Sequence, residues 1–245
     1  MNELKQLVDF RQVLANYRVS DAGKELLSDV RLVLLAAPTS SGRNTIIREL
    51  MKLDTYHYII SDTTRKPRMN DGQLEQNGLQ YWFRSEEEVL TDLKEGNFLE
   101  AAIIHNQQVS GISLRELELA RQEHKVAITD IEMVGVHNIL EAKPDTTVIF
   151  VSPPNFDEWQ RRLLGRGDMD PAEHIRRLNS SLHEFRHALD QPYYHFVVND
   201  DLATAVEQID ALASTTGLQP TVERHNREIV EELCRATEQY LRTVQ

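Results

Sequence analysis

The chain has 245 residues, an apolar fraction of 40%, a formal net charge of −12 and a single cysteine, Cys234. This length predicts one domain with appendages, and the acidic balance argues against non-specific nucleic-acid binding, which needs a basic surface. A single cysteine cannot form an intrachain disulfide, and no apolar run approaches the about 20 residues of a membrane span. We therefore expect a cytoplasmic protein that binds neither membrane nor nucleic acid.

Residues 1–29 form the first segment, in which apolar residues recur at helical spacing. Ser20 or Asp21 is a candidate N-cap for a second short helix within it. The aliphatic run Val30–Ala36 follows and predicts a buried strand. We interpret residues 1–29 as an N-terminal helical extension of the domain.

The segment after this strand looks like a phosphate-binding loop, and it reads Ala37-Pro38-Thr39-Ser40-Ser41-Gly42-Arg43-Asn44-Thr45. Such loops need a strand before them and a helix after them, and their backbone amides and the helix N-terminus bind phosphate oxygens. Three positions depart from the pattern G-x-x-x-x-G-K-[ST], because Ala37 replaces glycine, Arg43 lysine and Asn44 the hydroxyl residue. Arg43 keeps the positive charge as a planar fork, whereas lysine carries a compact point charge.

Short apolar runs alternate with helical patterns along the chain. The runs that predict strands are Tyr56–Ile60, Val126–Thr129, Thr147–Val151 and His195–Val198, and the helical patterns include Glu86–Glu95, Leu114–Glu123 and Phe156–Leu164. This alternation predicts an α/β protein with a parallel sheet covered by helices. Because ligands bind outside the carboxyl ends of such strands, we expect phosphates and a metal near Ala37 and Asp130.

A second phosphate site is predicted by residues 61–68, which read Ser-Asp-Thr-Thr-Arg-Lys-Pro-Arg. Arg65 and Arg68 lie three positions apart, and Pro67 stiffens the segment between them. Two guanidinium groups form a strong donor site for a phosphate, and Tyr81 can add a phenolic hydrogen bond.

The last segment, residues 214–245, follows a break signalled by Gly217 and Pro220 and is predicted to be a C-terminal helical extension. The two extensions either pack on the domain as terminal helices or form a homodimer seam or partner surface. The string His183-Glu184-Phe185-Arg186-His187 matches the zinc motif H-E-x-x-H. Without a third ligand we interpret it as part of a helix.

These motifs, taken in order, strongly resemble those of the guanylate kinase family. The segment S-x-T-T-R-x-P-R is followed by E-x-x-G-x-x-Y-x-F, and the further matching segments are Gly96–Glu100, Asp130–Glu132, Arg161–Gly167, Arg176–Leu178 and Val197–Asp200. The resemblance covers residues 30–213. It implies a P-loop kinase core, a small β-rich acceptor subdomain at 61–113 and a mobile helical lid at 152–180.

The resemblance also implies roles for individual residues in phosphoryl transfer from ATP to GMP with Mg²⁺. The residues expected to bind GMP are Arg65, Arg68 and Tyr81 at the phosphate and Ser61, Glu100, Glu132 and Ser113 near the base. Those expected to bind ATP are the loop residues Ala37–Thr45 and Asn199, which flanks the adenine. Those expected to support catalysis are Arg43, Arg162, Arg166, Arg177 and Asp130, and Mg²⁺ is expected at Asp130 with Asn44 or Thr45.

Two departures from the family pattern leave two interpretations open. A second phosphate-binding tyrosine is missing from the stretch Gln108-Val109-Ser110-Gly111-Ile112-Ser113, where Ser113 keeps a hydroxyl only if the loop is one residue longer. Arg43 is the other departure. The chain is therefore either an active kinase, which the surviving lid arginines favour, or a silent relative that binds a nucleotide or a phosphorylated partner.

Overall fold

The computed structural model describes residues 3–70, 72–165, 169–214 and 216–244. The helices are α1 (Leu7–Ala15), α2 (Asp21–Asp29), α3 (Arg43–Leu50), α4 (Glu86–Lys94), α5 (Leu114–Gln122), α6 (Met133–Ala142), α7 (Phe156–Leu164), α8 (Pro171–Asp190), α9 (Leu202–Ala213) and α10 (Pro220–Val244). The strands are β1 (Leu32–Ala36), β2 (Tyr56–Tyr58), β3 (Asp62–Thr63), β4 (Met69–Asn70), β5 (Gln73–Leu74), β6 (Trp82–Phe83), β7 (Phe98–Ile104), β8 (Gln108–Ser113), β9 (Val126–Asp130), β10 (Thr147–Ser152) and β11 (Tyr194–Val198).

The chain divides into two compact units, of which the C-terminal unit comprises residues 32–54, 130–133 and 147–245. Its strands β1, β10 and β11 pair in parallel, with β10 between the other two. Residues 148–151 of β10 are fully buried, because strands of a parallel sheet are covered on both faces. Helix α9 packs against α3, β10 and β11. Parallel strands flanked by helices confirm the predicted α/β class.

The N-terminal unit comprises residues 1–31, 55–129 and 134–146. It contains a four-stranded sheet in the order β6-β3-β8-β7, in which β7 and β8 form an antiparallel hairpin. Strands β2 and β9 pair in parallel, and β4 and β5 form a separate short hairpin. Strands β3 to β8 lie within residues 61–113, and a separate acceptor subdomain with these bounds stays a prediction.

The N-terminal extension folds into α1 and α2, as its spacing predicts. Ser20 caps α2, since its hydroxyl accepts a hydrogen bond from the Gly23 N–H at 3.1 Å. Phe10 of α1 is fully buried in a cluster that includes Phe98 of β7 and Leu93 of α4. The apolar face of α1 is thus used within its own unit, and a homodimer through the terminal helices stays a prediction.

The C-terminal extension forms α10, which packs on α8, β11 and α7. Its buried face carries Val230, Leu233 and Leu241. The buried Asn226 side chain donates to the Phe196 carbonyl oxygen at 2.8 Å and so pairs its polar atoms inside the packed face. Among the residues that the structure describes, no helix is long and apolar enough to cross a membrane.

Candidate active site

The phosphate-binding loop runs from the end of β1 to the start of α3, in the C-terminal unit. Gly42 has φ +89°, and a Cβ atom there would lie 2.1 Å from the Asn199 side-chain nitrogen. Only glycine therefore fits this position, for both conformation and space. The Asn199 amide donates to the Ser41 carbonyl oxygen at 2.8 Å, and the Trp159 indole donates to the Thr39 carbonyl oxygen at 2.9 Å. These two side chains hold the loop through its carbonyl groups.

Several polar atoms of this loop are buried without a partner. Within the described part of the chain, the hydroxyl oxygens of Ser40 and Ser41 and the Nε atom of Arg43 accept or donate no hydrogen bond. Buried polar groups in proteins are normally paired, and a bound ligand, ion or water can supply the partner of an unpaired one. Three such atoms within four residues fit the predicted phosphate site at the N-terminus of α3.

Arg43 forms an ion pair with Asp130, in which the nitrogen and oxygen atoms lie 2.9 Å apart. Asp130 ends β9. The structure therefore brings together the variant residue of the loop and the carboxylate predicted to lie near the phosphates and the metal. Asn44 is exposed, and the Thr45 hydroxyl accepts a hydrogen bond from Arg48 at 3.2 Å.

The predicted Mg²⁺ site is made of oxygen donors, namely the Asp130 carboxylate with the Asn44 amide or the Thr45 hydroxyl. Such a set fits Mg²⁺, which proteins usually hold through one or two carboxylates, with nucleotide phosphates and water supplying the other ligands. Where the structure describes the chain, no group of three His, Cys, Asp or Glu side chains could hold a metal ion. The H-E-x-x-H string lies inside α8.

The lid prediction involves α7 and α8. Arg162 donates to Glu158 at 2.7 Å and to the Asn199 carbonyl oxygen at 3.0 Å, which links it through Asn199 to the phosphate-binding loop. Arg177 instead pairs with Glu173 at 2.7 Å, one helical turn before it. The predicted Arg166 lies outside the described residues. Asn199 is occupied as a support of the loop, and its role beside the adenine stays a prediction.

Glu184 of α8 also lies in this unit. From the sequence it was interpreted only as part of the H-E-x-x-H string, with no role of its own. Burial raises its pKa to about 7, against a hydrogen bond from Ser180 and the positive charge of Arg43, while Glu132 adds to the rise. Its Oε2 atom is buried and has no hydrogen-bond partner among the described residues. Glu132 itself is exposed, and its place at the base stays a prediction.

The predicted acceptor-phosphate residues meet in the N-terminal unit around a carboxylate, Glu75. Both Arg65 guanidinium nitrogens Nη1 and Nη2 donate to Glu75, at 2.5 and 2.9 Å, and the Arg68 N–H donates to it at 2.8 Å. The Arg65 guanidinium also stacks over the Tyr81 ring, 4.7 Å from its centroid. Arg65, with its bonds to Glu75, holds the pKa of that carboxylate down at about 2. Glu75 had no predicted role, and the structure shows that it orients the Arg65 guanidinium and accepts from the backbone N–H of Arg68.

A chain of polar side chains includes Gln108 and Ser110 of β8. The Gln108 amide lies between the Arg68 guanidinium, at 3.5 Å, and the Ser110 hydroxyl, at 3.2 Å. The Ser110 hydroxyl is also 2.9 Å from the Thr63 hydroxyl. Ser110 and Thr63 were not among the predicted site residues, because only strand pairing shows that they meet.

Glu100 and Ser113 are separated by the register of the β7–β8 hairpin. Glu100 pairs with Ile112, and Phe98 pairs with Ser113, so the two predicted base readers do not share a sheet face. Ser113 is buried at the start of α5, where its hydroxyl accepts from the Arg115 N–H at 3.2 Å. The structure thus shows Ser113 as the N-cap of α5, and its role near the base stays a prediction. Burial raises the pKa of Glu100 to about 7.

The chain is similar to known proteins in both sequence and fold. A family model described as guanylate kinase matches residues 29–215. A guanylate kinase of Clostridioides difficile (strain 630) is 32% identical over 201 residues, which cover 82% of this chain and 94% of the relative. A guanylate kinase of Helicobacter pylori (strain ATCC 700392 / 26695) is 35% identical over 190 residues, with 77% and 88% covered. The crystal structure of guanylate kinase from Anaplasma phagocytophilum has the same fold, with a TM-score of 0.54, 21% identity and 83% and 95% coverage.

Proposed function

Because the chain belongs to the guanylate kinase family, we propose that it transfers the γ-phosphoryl group of ATP to GMP, forming ADP and GDP. The observation that carries this proposal is the Arg65–Glu75–Arg68 arrangement, a preformed cationic site within the same chain as a phosphate-binding loop with unpaired polar atoms. A protein that bound only one phosphate group would have no use for both.

On the acceptor side, we assign the phosphate of GMP to Arg65, Arg68 and Tyr81. Glu75 fixes the Arg65 fork before GMP arrives, so that less side-chain freedom is lost on binding. Glu100 is assigned to the guanine base, because a carboxylate can accept hydrogen bonds from the ring N–H and the exocyclic amine together.

On the donor side, we assign the ATP phosphates to the loop Ala37–Thr45. Charge spreads over the equatorial oxygens of the moving phosphoryl group, and the protein mainly positions and neutralises it. Arg43 supplies the positive charge that a lysine usually provides at this place, and Arg162 is held beside the loop through Asn199. Bound Mg²⁺ would neutralise the donor phosphates further, with Asp130 as its carboxylate ligand.

A coupled assay for ADP formation tests the proposal, with ATP, Mg²⁺ and each of GMP, dGMP, AMP, CMP and UMP as acceptor. We expect turnover with GMP above all other acceptors. Arg65→Ala should raise the KM for GMP at least about tenfold, since a charge-assisted bidentate contact is lost. Lys66→Ala, which changes the exposed neighbouring cation, is the matched control and should behave like the wild type.

Absence of ADP formation with every acceptor, at high enzyme concentration, would contradict the proposed activity. If GMP still bound under those conditions, the chain would be a nucleotide-binding relative that has lost transfer.

A further inference from the structure

The N-terminal extension and Glu100 share one cavity of the N-terminal unit. Its volume is about 670 Å³, and its walls include Tyr17 and Arg18 from the extension, Glu100 from β7 and Asn138 from α6. We propose that the extension is part of the acceptor site and that Tyr17 is a positioning residue for Glu100. This inference rests on the proposed function, in which Glu100 contacts the guanine base.

Tyr17 is bonded to both backbone groups of Phe98, the first residue of β7. Its hydroxyl donates to the Phe98 carbonyl oxygen at 2.5 Å and accepts from the Phe98 N–H at 2.8 Å. The register of β7 against β8 shifts between Phe98 and Glu100, so β7 begins irregularly two residues before the carboxylate. The Tyr17 hydroxyl therefore satisfies the backbone at this irregularity and fixes where the strand leading to Glu100 starts.

The extension also lies against the turn that precedes β7. The Ser20 N–H donates to the Gly96 carbonyl oxygen at 3.0 Å. Gly96 has φ +73°, and a Cβ atom there would lie 2.6 Å from the Ser20 nitrogen and 3.0 Å from the Arg18 carbonyl oxygen. The backbone of the turn therefore lies directly against the backbone of the extension, and the two segments hold each other in place.

The hydrophobic core keeps the extension in this position. Leu4 and Phe10 of the extension are buried in the same cluster as Phe98, Val89 and Leu93. Removing the extension from the strand would expose these apolar side chains to water, which is unfavourable. The packed core therefore supports the wall that Tyr17 and Arg18 form beside Glu100.

This wall matters to the base-reading step because Glu100 works from a buried place. Burial raises the pKa of Glu100 to about 7, and the extension supplies part of the wall of the cavity that Glu100 lines. Small displacements of a positioning side chain are costly, since a shift of about 1 Å in a binding group can change rates by about a hundredfold. Loss of the Tyr17 hydroxyl should therefore affect the acceptor selectively.

Tyr17→Phe tests this inference in the full chain. The variant keeps the ring and removes the atom that pairs with Phe98, so we expect the KM for GMP to rise about tenfold while the KM for ATP stays unchanged. Leu27→Ala is the control, because Leu27 is buried on α2 of the same extension. It should lower the unfolding temperature and leave the KM for GMP at the wild-type value.

A second measurement needs no nucleotide. Carbon-detected NMR of the Glu100 carboxyl group should give a titration that differs from the wild type in Tyr17→Phe, because the carboxyl group is displaced, and an unchanged titration in Leu27→Ala. Either an unchanged KM for GMP or an unchanged Glu100 titration in Tyr17→Phe overturns the inference. If the wild-type chain turns over no GMP, the proposed function fails, and the titration alone decides whether Tyr17 positions Glu100.

Discussion

Arg43 is the residue in which this chain departs most from the pattern of a phosphate-binding loop. Its guanidinium pairs with Asp130 at 2.9 Å, while its Nε atom is buried without a partner. The positive charge is therefore anchored at the start of α3 with one donor still available. This geometry suits a guanidinium group that donates to phosphate oxygens through only some of its N–H groups.

Arg43→Ala should lower kcat about a hundredfold or more, because it removes a charge that stabilises the transition state. Arg43→Lys should raise kcat, since it restores the compact charge typical of such loops. Steady-state kinetics at saturating GMP measure both effects. Arg48→Ala, an exposed arginine of the same helix, is the control. A lower kcat in Arg43→Lys would show that the loop is adapted to arginine, and a wild-type kcat in Arg43→Ala would contradict the donor-site assignment.

At the scale of single residues, the raised pKa of Glu100 predicts that acceptor binding depends on pH. Its pKa is raised to about 7 by burial, so the fraction of the charged form grows as the pH rises through that value. Only the charged form accepts two hydrogen bonds from guanine, so the KM for GMP should fall between pH of about 6 and about 8. In Glu100→Gln, the KM for GMP over the same pH range should change only with the ionisation of the GMP phosphate, whose second pKa is about 6. Identical pH profiles for the two proteins would remove Glu100 from the base site.

The elements of the N-terminal unit are joined by buried polar contacts as well as by apolar packing. Glu116 of α5 is 1% exposed and accepts hydrogen bonds from the Ile60 N–H and the Trp82 indole, both at 2.9 Å. His57 of β2 lies 3.4 Å from the same carboxylate and 3.2 Å from Glu123. Helix α5 thus contacts both β2 and the segment that carries the acceptor residues.

His57 makes the stability of this arrangement depend on pH. The hydrogen bond to Glu116, more than that to Glu123, raises the pKa of His57 above its ordinary 6.5. A raised histidine pKa means that the folded state binds the proton more tightly than the unfolded state. The resulting stabilisation is fully present below pH 6.5 and is lost as the pH rises through the folded-state pKa.

His57→Asn should therefore lower the free energy of unfolding more at pH of about 6 than at about 8. Urea unfolding at the two pH values measures this difference, and subtracting the wild type removes the contributions of other titrating groups. His137→Asn is a control, because His137 is 74% exposed in its pair with Glu141. An equal loss at both pH values would mean that His57 stabilises the fold only by packing.

At the scale of the whole molecule, each compact unit carries one part of the predicted machinery. The C-terminal unit holds the phosphate-binding loop with Arg43 and Asp130, and the N-terminal unit holds Arg65 and Glu100. The extensions follow the same division, since α1 and α2 belong to the N-terminal unit and α10 to the C-terminal one. Each extension thus completes the core of the unit to which it belongs.

The sequence by itself determined the α/β class, most element positions and the family. These properties depend on local features, namely the aliphatic runs of buried parallel strands, the helical spacing and ordered motifs such as S-x-T-T-R-x-P-R. Phe156–Leu164 was predicted with both of its observed ends, and Val30–Ala36 was two residues too long at its start.

Only the tertiary structure decided which side chains meet. Ser113 caps α5 and lies on a different sheet face from Glu100 because of the β7–β8 register, and a register is set by pairing between strands. Glu75 and Tyr17 gained their roles in the same way. Tyr17 lies 81 positions from Phe98 in the chain, so no local pattern could predict that its hydroxyl completes the strand that carries Glu100.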